Sequence, residues 1–294
     1  MRTAGRLAAY GLGLVVIAGG AWAAGSLVGP IGEAITPPAD DHSMDMAGEH
    51  EAAGDVLPGL AVAANGYRLE LGQDTVVANS PQAFRFRIIG SDGKPVTRYE
   101  VEHDKQLHLV LVRRDTSGYQ HVHPELRPDG TWSVPLTLKA AGSYRVFTDF
   151  KAEGGPRTTL GADVQVAGAY QPERFESPIR TDTVDGYEVE LDGPLVPGKE
   201  TELTATVTRG GTPVTDLQPY LGAYGHLVTL RAADLGYLHV HPLGEPGDGT
   251  TQAGPRIRFA VTVPTAGRYR LFLDFQHGGQ VRTAEFTLDT ELGS

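Results

Sequence analysis

The sequence predicts an all-β chain: two antiparallel β-sandwiches in tandem, behind an N-terminal transmembrane helix. Three observations predict it. Arg2 and Arg6 precede an uncharged stretch over 7–32, rich in Ala, Leu, Val and Gly, long enough for a bilayer core, which takes ~20 residues. The rest of the chain reads as one pattern written twice. Each copy breaks into short, partly alternating apolar runs, in the first at 67–71, 83–89, 107–113, 131–138 and 144–150. Asp92-Gly93, Asp129-Gly130 and Ala141-Gly142 punctuate them, and no helical period is sustained.

In chain order, residues 1–32 read as a cytoplasmic start and membrane anchor. The basic end stays inside, which makes a single-pass cell-membrane protein with everything past Glu33 extracytoplasmic. A secretory signal cleaved near Ala21-Trp22-Ala23 is the competing reading and would give a secreted protein in the same compartment. Residues 33–58 read as a flexible acidic linker, with Pro37-Pro38 and no apolar period. His42, Met44, Met46 and His50 fall within it. Thioether with imidazole suits Cu(I), and carboxylate with imidazole suits Cu(II) or Zn(II), so the segment reads either as a low-affinity metal collector or as a solvated spacer.

Repeat one covers 59–168, a connector with Pro172 and Pro178 covers 169–180, and repeat two covers 181–294. The offset between copies is 118 from Gly93-Lys94-Pro95-Val96-Thr97 onto Gly211-Thr212-Pro213-Val214-Thr215, through His108 onto His226 and His121-Val122-His123-Pro124 onto His239-Val240-His241-Pro242. After a short insertion near 247–252 it becomes 125, carrying Tyr144 onto Tyr269, Asp149 onto Asp274 and Arg157 onto Arg282. Such a constant offset marks an internal duplication.

Composition excludes several classes of answer. The 294 residues contain no Cys, 10 His and 3 Met, with a formal charge of −11. Disulfide scaffolds, thiolate zinc fingers, cysteine nucleophiles and thiolate-ligated copper or iron–sulfur centres are therefore impossible. A nucleic-acid partner needs clustered Lys and Arg, and the acidic balance argues against one. It suits cations.

Six of the ten histidines form His-x12-His-Val-His-Pro twice. Side chains alternate along a strand, so His121 and His123 share a face while Val122 points to the other. Pro124 lacks an amide hydrogen for a ladder and ends the strand or marks an edge. If the two strands pair so that residue numbers sum to 231, His108 lies opposite His123 with His121 diagonal to it. Three imidazoles then converge on one ion at ~2 Å each. The same arithmetic places His226 opposite His241, with His239 diagonal. The expected metal ligands are thus His108, His121 and His123 in one site, and His226, His239 and His241 in another. Asp149 and Asp274 read as fourth ligands or as acceptors orienting an imidazole; ion pairs with Arg157 and Arg282 are the competing explanation. A polar network of hydrogen-bonded imidazoles competes with metal binding. His103 and His277 have no counterpart in the other copy and read as surface residues, and Tyr119 and Tyr237 as packing aromatics.

No enzyme motif fits. The chain lacks the alternating helices of a (β/α)8 amidohydrolase and the His-x-His-x-Asp of metallo-β-lactamase-type hydrolases. It has no Gly-x-Ser-x-Gly elbow and no phosphate-cradling loop. The Gly and Glu spacing around His-x-His departs from that of double cupins. The expectation is a binding protein, not an enzyme.

The segments Tyr220-Leu221-Gly222-Ala223-Tyr224-Gly225-His226-Leu227-Val228 and Asp234-Leu235-Gly236-Tyr237-Leu238-His239-Val240-His241-Pro242 resemble those of exported heavy-metal-associated proteins of actinobacteria. The expected fold resembles the CopC-type and YtkA-like copper-resistance sandwiches. The resemblance implies Ig-like or cupredoxin-like domains, copper as the bound metal with zinc as the alternative, a role in metal delivery, buffering or resistance, and a metal transporter as partner. Two departures leave the geometry and oxidation state of bound copper open. Glu102-His103-Asp104-Lys105-Gln106-Leu107 replaces the Tyr- and Gly-rich lead-in before His108, and the sandwich lacks an N-terminal histidine of its own. A non-metal interaction or adhesion module and a duplicated cupin-like metal-dependent oxidoreductase are the alternative functions.

Overall fold

The computed structural model describes residues 57–238 and 240–291. The expected anchor, the acidic segment with His42, Met44, Met46 and His50, and His239 lie outside the described residues. Among the described residues every element is a strand, and none is a helix long and apolar enough to cross a membrane.

Repeat one contributes β1 (Ala63–Ala64), β2 (Tyr67–Leu71), β3 (Thr75–Val77), β4 (Gln82–Ile89), β5 (Leu107–Arg113), β6 (Gln120–Val122), β7 (Glu125–Leu126), β8 (Thr131–Leu136), β9 (Gly142–Lys151) and β10 (Arg157–Ala167). Repeat two contributes β11 (Thr181–Val184), β12 (Tyr187–Asp192), β13 (Glu200–Arg209), β14 (Thr212–Pro213), β15 (Gly225–Arg231), β16 (Tyr237–Leu238), β17 (His241–Leu243), β18 (Arg256–Thr262), β19 (Arg268–His277) and β20 (Gln280–Asp289). The first repeat has sheets β1-β2-β4-β8-β7 and β3-β10-β9-β5-β6, and the second has β11-β12-β13-β18-β17 and β16-β15-β19-β20. Strand pairing is antiparallel except between β10 and β3.

Each pair of sheets closes over its own core, as alternation requires. In repeat one Leu69, Phe84, Phe86 and Trp132 meet Leu107, Leu109, Leu111, Tyr144 and Val146. In repeat two Val189, Leu203 and Phe259 meet Leu227, Tyr269, Leu271 and Phe286. Tyr144 donates from Oη to Ala140 O at 3.0 Å, and Tyr269 to Thr265 O at 2.8 Å. This backward bond from strand to preceding corner is a device of Ig-type sandwiches.

β5 and β15, which carry His108 and His226, are buried on both faces, which one sandwich alone cannot achieve. In β5, Leu107, Leu109 and Leu111 point into the home core while Val110 and Val112 point out of it. Val110, Val112 and Phe147 join Val228, Leu230, Leu235, Tyr237 and Phe272 of the second repeat in a shared third core. Tyr119 stacks on Phe272 with ring centroids 4.1 Å apart and planes 3° from parallel, and Phe147 meets Tyr237 at 5.4 Å. Tyr237 is the duplicate of Tyr119 and Phe272 that of Phe147, so the two repeats face each other through the same surface.

Residues 58–61, just ahead of β1, line this junction. Tyr237 N donates to Pro58 O, Gly59 N to Thr159 O and Gly161 N to Ala61 O, at 2.9 to 3.0 Å. A Cβ on Gly161 would collide with the Gly59 carbonyl, so this close backbone passage needs glycine.

Candidate metal centre

The register supposed from sequence holds over the residues that pair, but neither His108 with His123 nor His226 with His241 is itself a ladder pair, and His241 pairs instead with Ala260 of the other sheet. Leu109 pairs with Val122 and Val110 with His121, while Thr229 pairs with Leu238 and Leu230 with Tyr237. β6 ends before His123, where the chain crosses to the other sheet through Pro124. His108 Nδ1 lies 3.1 Å from His121 Nε2 and 3.3 Å from His123 Nε2. One ligand nitrogen from each of the three rings fits within a 4.8 Å limit of the other two. Two nitrogens each ~2.0–2.1 Å from one ion, subtending about 90–110° at it, lie about 2.9–3.4 Å apart. The set therefore fits a first-row divalent ion.

The remaining ring nitrogens fix the tautomers. His108 Nε2 is 3.2 Å from the Glu102 carbonyl oxygen, and His121 Nδ1 is 2.7 Å from Asp274 Oδ2. A carbonyl and a carboxylate only accept, so each of these nitrogens carries its ring's proton. With both rings neutral, Nδ1 of His108 and Nε2 of His121 face each other as lone pairs, an arrangement that a cation between them stabilises. Burial pushes His108 down to about 4 and His123 down to about 3, each helped by the neighbouring imidazoles. Neutral rings are the form that binds metal.

The two carboxylates differ. Asp149 is the cross-strand partner of His108 and accepts from Arg157 Nη2 at 2.7 Å and Thr159 Oγ1 at 3.1 Å. The ion pair considered from sequence is present there. Asp274 pairs across strands with His226, accepts from Thr283 Oγ1 at 2.6 Å, and holds His121 of the other repeat. Arg282 lies beside Asp185 instead, at 3.3 Å. Asp274 thus orients an imidazole as expected, though one belonging to the opposite copy.

Histidines from both repeats come together. The His226 ring is parallel to that of His108 with centroids 5.5 Å apart, and 5.2 Å from that of His121. His226 of the second repeat thus lies beside His108 and His121 of the first. His241 is exposed at the start of β17 and pairs with Ala260 in the other sheet.

Sequence reasoning missed His103. It occupies a turn closed by Glu102 and Lys105, with φ 49° at His103 and 62° at Asp104, the two left-handed central residues of a type I′ turn. Leu221 and Gly222 adopt the same turn in repeat two, with φ 55° and 77°. The His103 ring is 5.6 Å from that of His226 and 6.2 Å from that of His108, and burial lowers its pKa. His277, also expected on the surface, bonds to Tyr187 Oη at 2.7 Å and Asp216 Oδ1 at 3.0 Å. Tyr119 and Tyr237 pack as expected, between the repeats.

No curated protein matches the chain. Among solved structures it is similar to the Escherichia coli adhesin FdeC, with 19% identity over 79% of this chain and 66% of that one and a TM-score of 0.27. It is also similar to Salmonella alpha-2-macroglobulin reacted with methylamine, with 14% identity, 80% and 15% coverage and a TM-score of 0.28. A third is the tandem Ig repeats of Dlar, with 9% identity, 78% and 99% coverage and a TM-score of 0.21. The chain spans just under two thirds of the adhesin and a small fraction of the macroglobulin, and superpositions this loose carry no functional argument. One family matches both halves, over residues 61–168 and again over 182–291. With the duplicated sandwich and its paired histidine faces in view, the chain belongs to the family described as "Domain of unknown function (DUF8832)".

Proposed function

We propose that this protein binds a transition-metal ion, copper with zinc as the alternative, through His108, His121 and His123, and serves in metal delivery, buffering or resistance. One observation supports this most: two imidazole nitrogens whose tautomers are set by Glu102 O and Asp274 face each other across 3.1 Å. All-imidazole donors favour Cu(II) or Zn(II). The sequence resemblance to exported heavy-metal-associated proteins and copper-resistance sandwiches points the same way. We place the sandwiches on the outer face of the cell membrane, held by residues 1–32. There the 42–50 segment collects metal weakly and a transporter exchanges it. In this reading the chain binds and does not catalyse.

Elemental analysis of the purified protein after loading and desalting tests the reading, with the His121→Ala plus His239→Ala variant as comparison. About one or more ions per chain, lost in the variant, is the expected result; stoichiometry near zero in the unaltered protein overturns it. The tandem sandwich architecture favours a second reading, a non-metal interaction or adhesion module. That reading predicts a melting temperature indifferent to copper and zinc.

A further inference from the structure

We infer that the second repeat is a working part of the metal site: Asp274 is a positioning residue for His121, so the ion is held firmly only when the repeats are docked, and bound metal clasps them together. This rests on the metal-binding reading above. His121 sits on β6, a three-residue edge strand that ends at Val122, and so short an edge constrains a side chain weakly by itself. Its ring is fixed instead by Asp274 Oδ2 at 2.7 Å, with both side chains nearly inaccessible to solvent, at 2% and 3%. Asp274 is itself held by Thr283 from β20 at 2.6 Å.

The docking contact adjoins the same two strands. Tyr119 lies immediately before β6, two residues from His121, and Phe272 shares a face of β19 with Asp274. The stacked Tyr119–Phe272 rings and the His121–Asp274 bond form successive rungs between the repeats. Whatever separates the rings therefore draws the carboxylate off the imidazole. Linkage makes the effect reciprocal: an ion that binds better to the docked state stabilises docking by the same free energy.

The test uses the full chain with Cu(II) or Zn(II) as the probe in competition titrations. Asp274→Asn keeps the shape and removes the charge, and Phe272→Leu loosens docking while leaving every ligand in place. Both variants are expected to bind about 10–100-fold more weakly, the scale for losing an outer hydrogen-bond partner of a ligand. Asp274→Asn is also expected to change the Cu(II) electron-paramagnetic-resonance spectrum at saturation, which a general loss of stability would not do. Unchanged affinity in both variants overturns the inference and leaves the metal reading standing, as does weakened Asp274→Asn binding with an unaltered Cu(II) spectrum and a normal Phe272→Leu. Absence of metal binding by the unaltered chain overturns both.

Discussion

Replacing Phe272 by alanine should separate the unfolding of the two repeats. Phe272 is fully buried, yet it belongs to the third core and not to the interior of its own sandwich. Its neighbours there include Val110, Val112 and Phe147 of repeat one, and its ring stacks on Tyr119 at 4.1 Å. Truncating a buried Phe costs about 3–5 kcal/mol, including about 0.5–1.5 for a stacked aromatic partner. Against a total stability of about 5–15 kcal/mol for a domain, that is a large part of whatever couples the repeats. Urea unfolding followed by far-ultraviolet circular dichroism should give one transition in the parent. The same experiment followed by Trp132 fluorescence, in a Trp22→Phe background, reports repeat one alone. In Phe272→Ala the two probes should diverge and the apparent urea dependence should fall, the signs of lost cooperativity. Phe259→Ala, in the interior of repeat two, should cost a similar amount through its home core while the two probes stay coincident. Coincident transitions in Phe272→Ala, or a destabilisation below about 1 kcal/mol, would refute the idea that the third core joins the repeats.

Two further predictions concern local devices. Tyr269→Phe removes the bond to Thr265 O while preserving the ring, and should lower stability by about 0.5–1.5 kcal/mol in a denaturant titration, with Tyr144→Phe giving a matching loss in repeat one. The Arg231 guanidinium holds the Asp234 carboxyl below its ordinary range. A depressed carboxyl pKa stabilises the fold above the unfolded value, about 3.9, and that contribution is lost as pH falls through the folded value. Asp234→Asn should therefore flatten the acid limb of a stability-versus-pH profile below about pH 4, and an unaltered limb would count against it.

Much of this was legible in the residues. The runs at 67–71 and 107–113 are β2 and β5 to the residue, and the shared face of His121 and His123 is legible from alternation, whereas the register itself entered as a condition that the three histidines converge. The junction was harder to read, because duplication is equally compatible with independent domains. The available signal was the unbroken apolar character of Leu109-Val110-Leu111-Val112, which leaves no polar side chain for a solvated face. His103 escaped notice because Leu221 stands at its counterpart position. Only the shared left-handed turn brings it to the cluster, and that is a property of backbone conformation and not of side-chain pattern. The bond from His121 to Asp274 joins the two repeats, and no pattern within one repeat could announce it.

The junction between the repeats is isologous: Tyr119 against Phe272 is answered by Tyr237 against Phe147, as in a two-fold homodimer. A surface of this kind on separate subunits would assemble in proportion to their concentration. Joined through residues 169–180, the halves meet at an effective concentration in the millimolar range whatever the abundance of the protein. Dilution would dissociate a dimeric junction, whereas this one stays assembled as a single molecule.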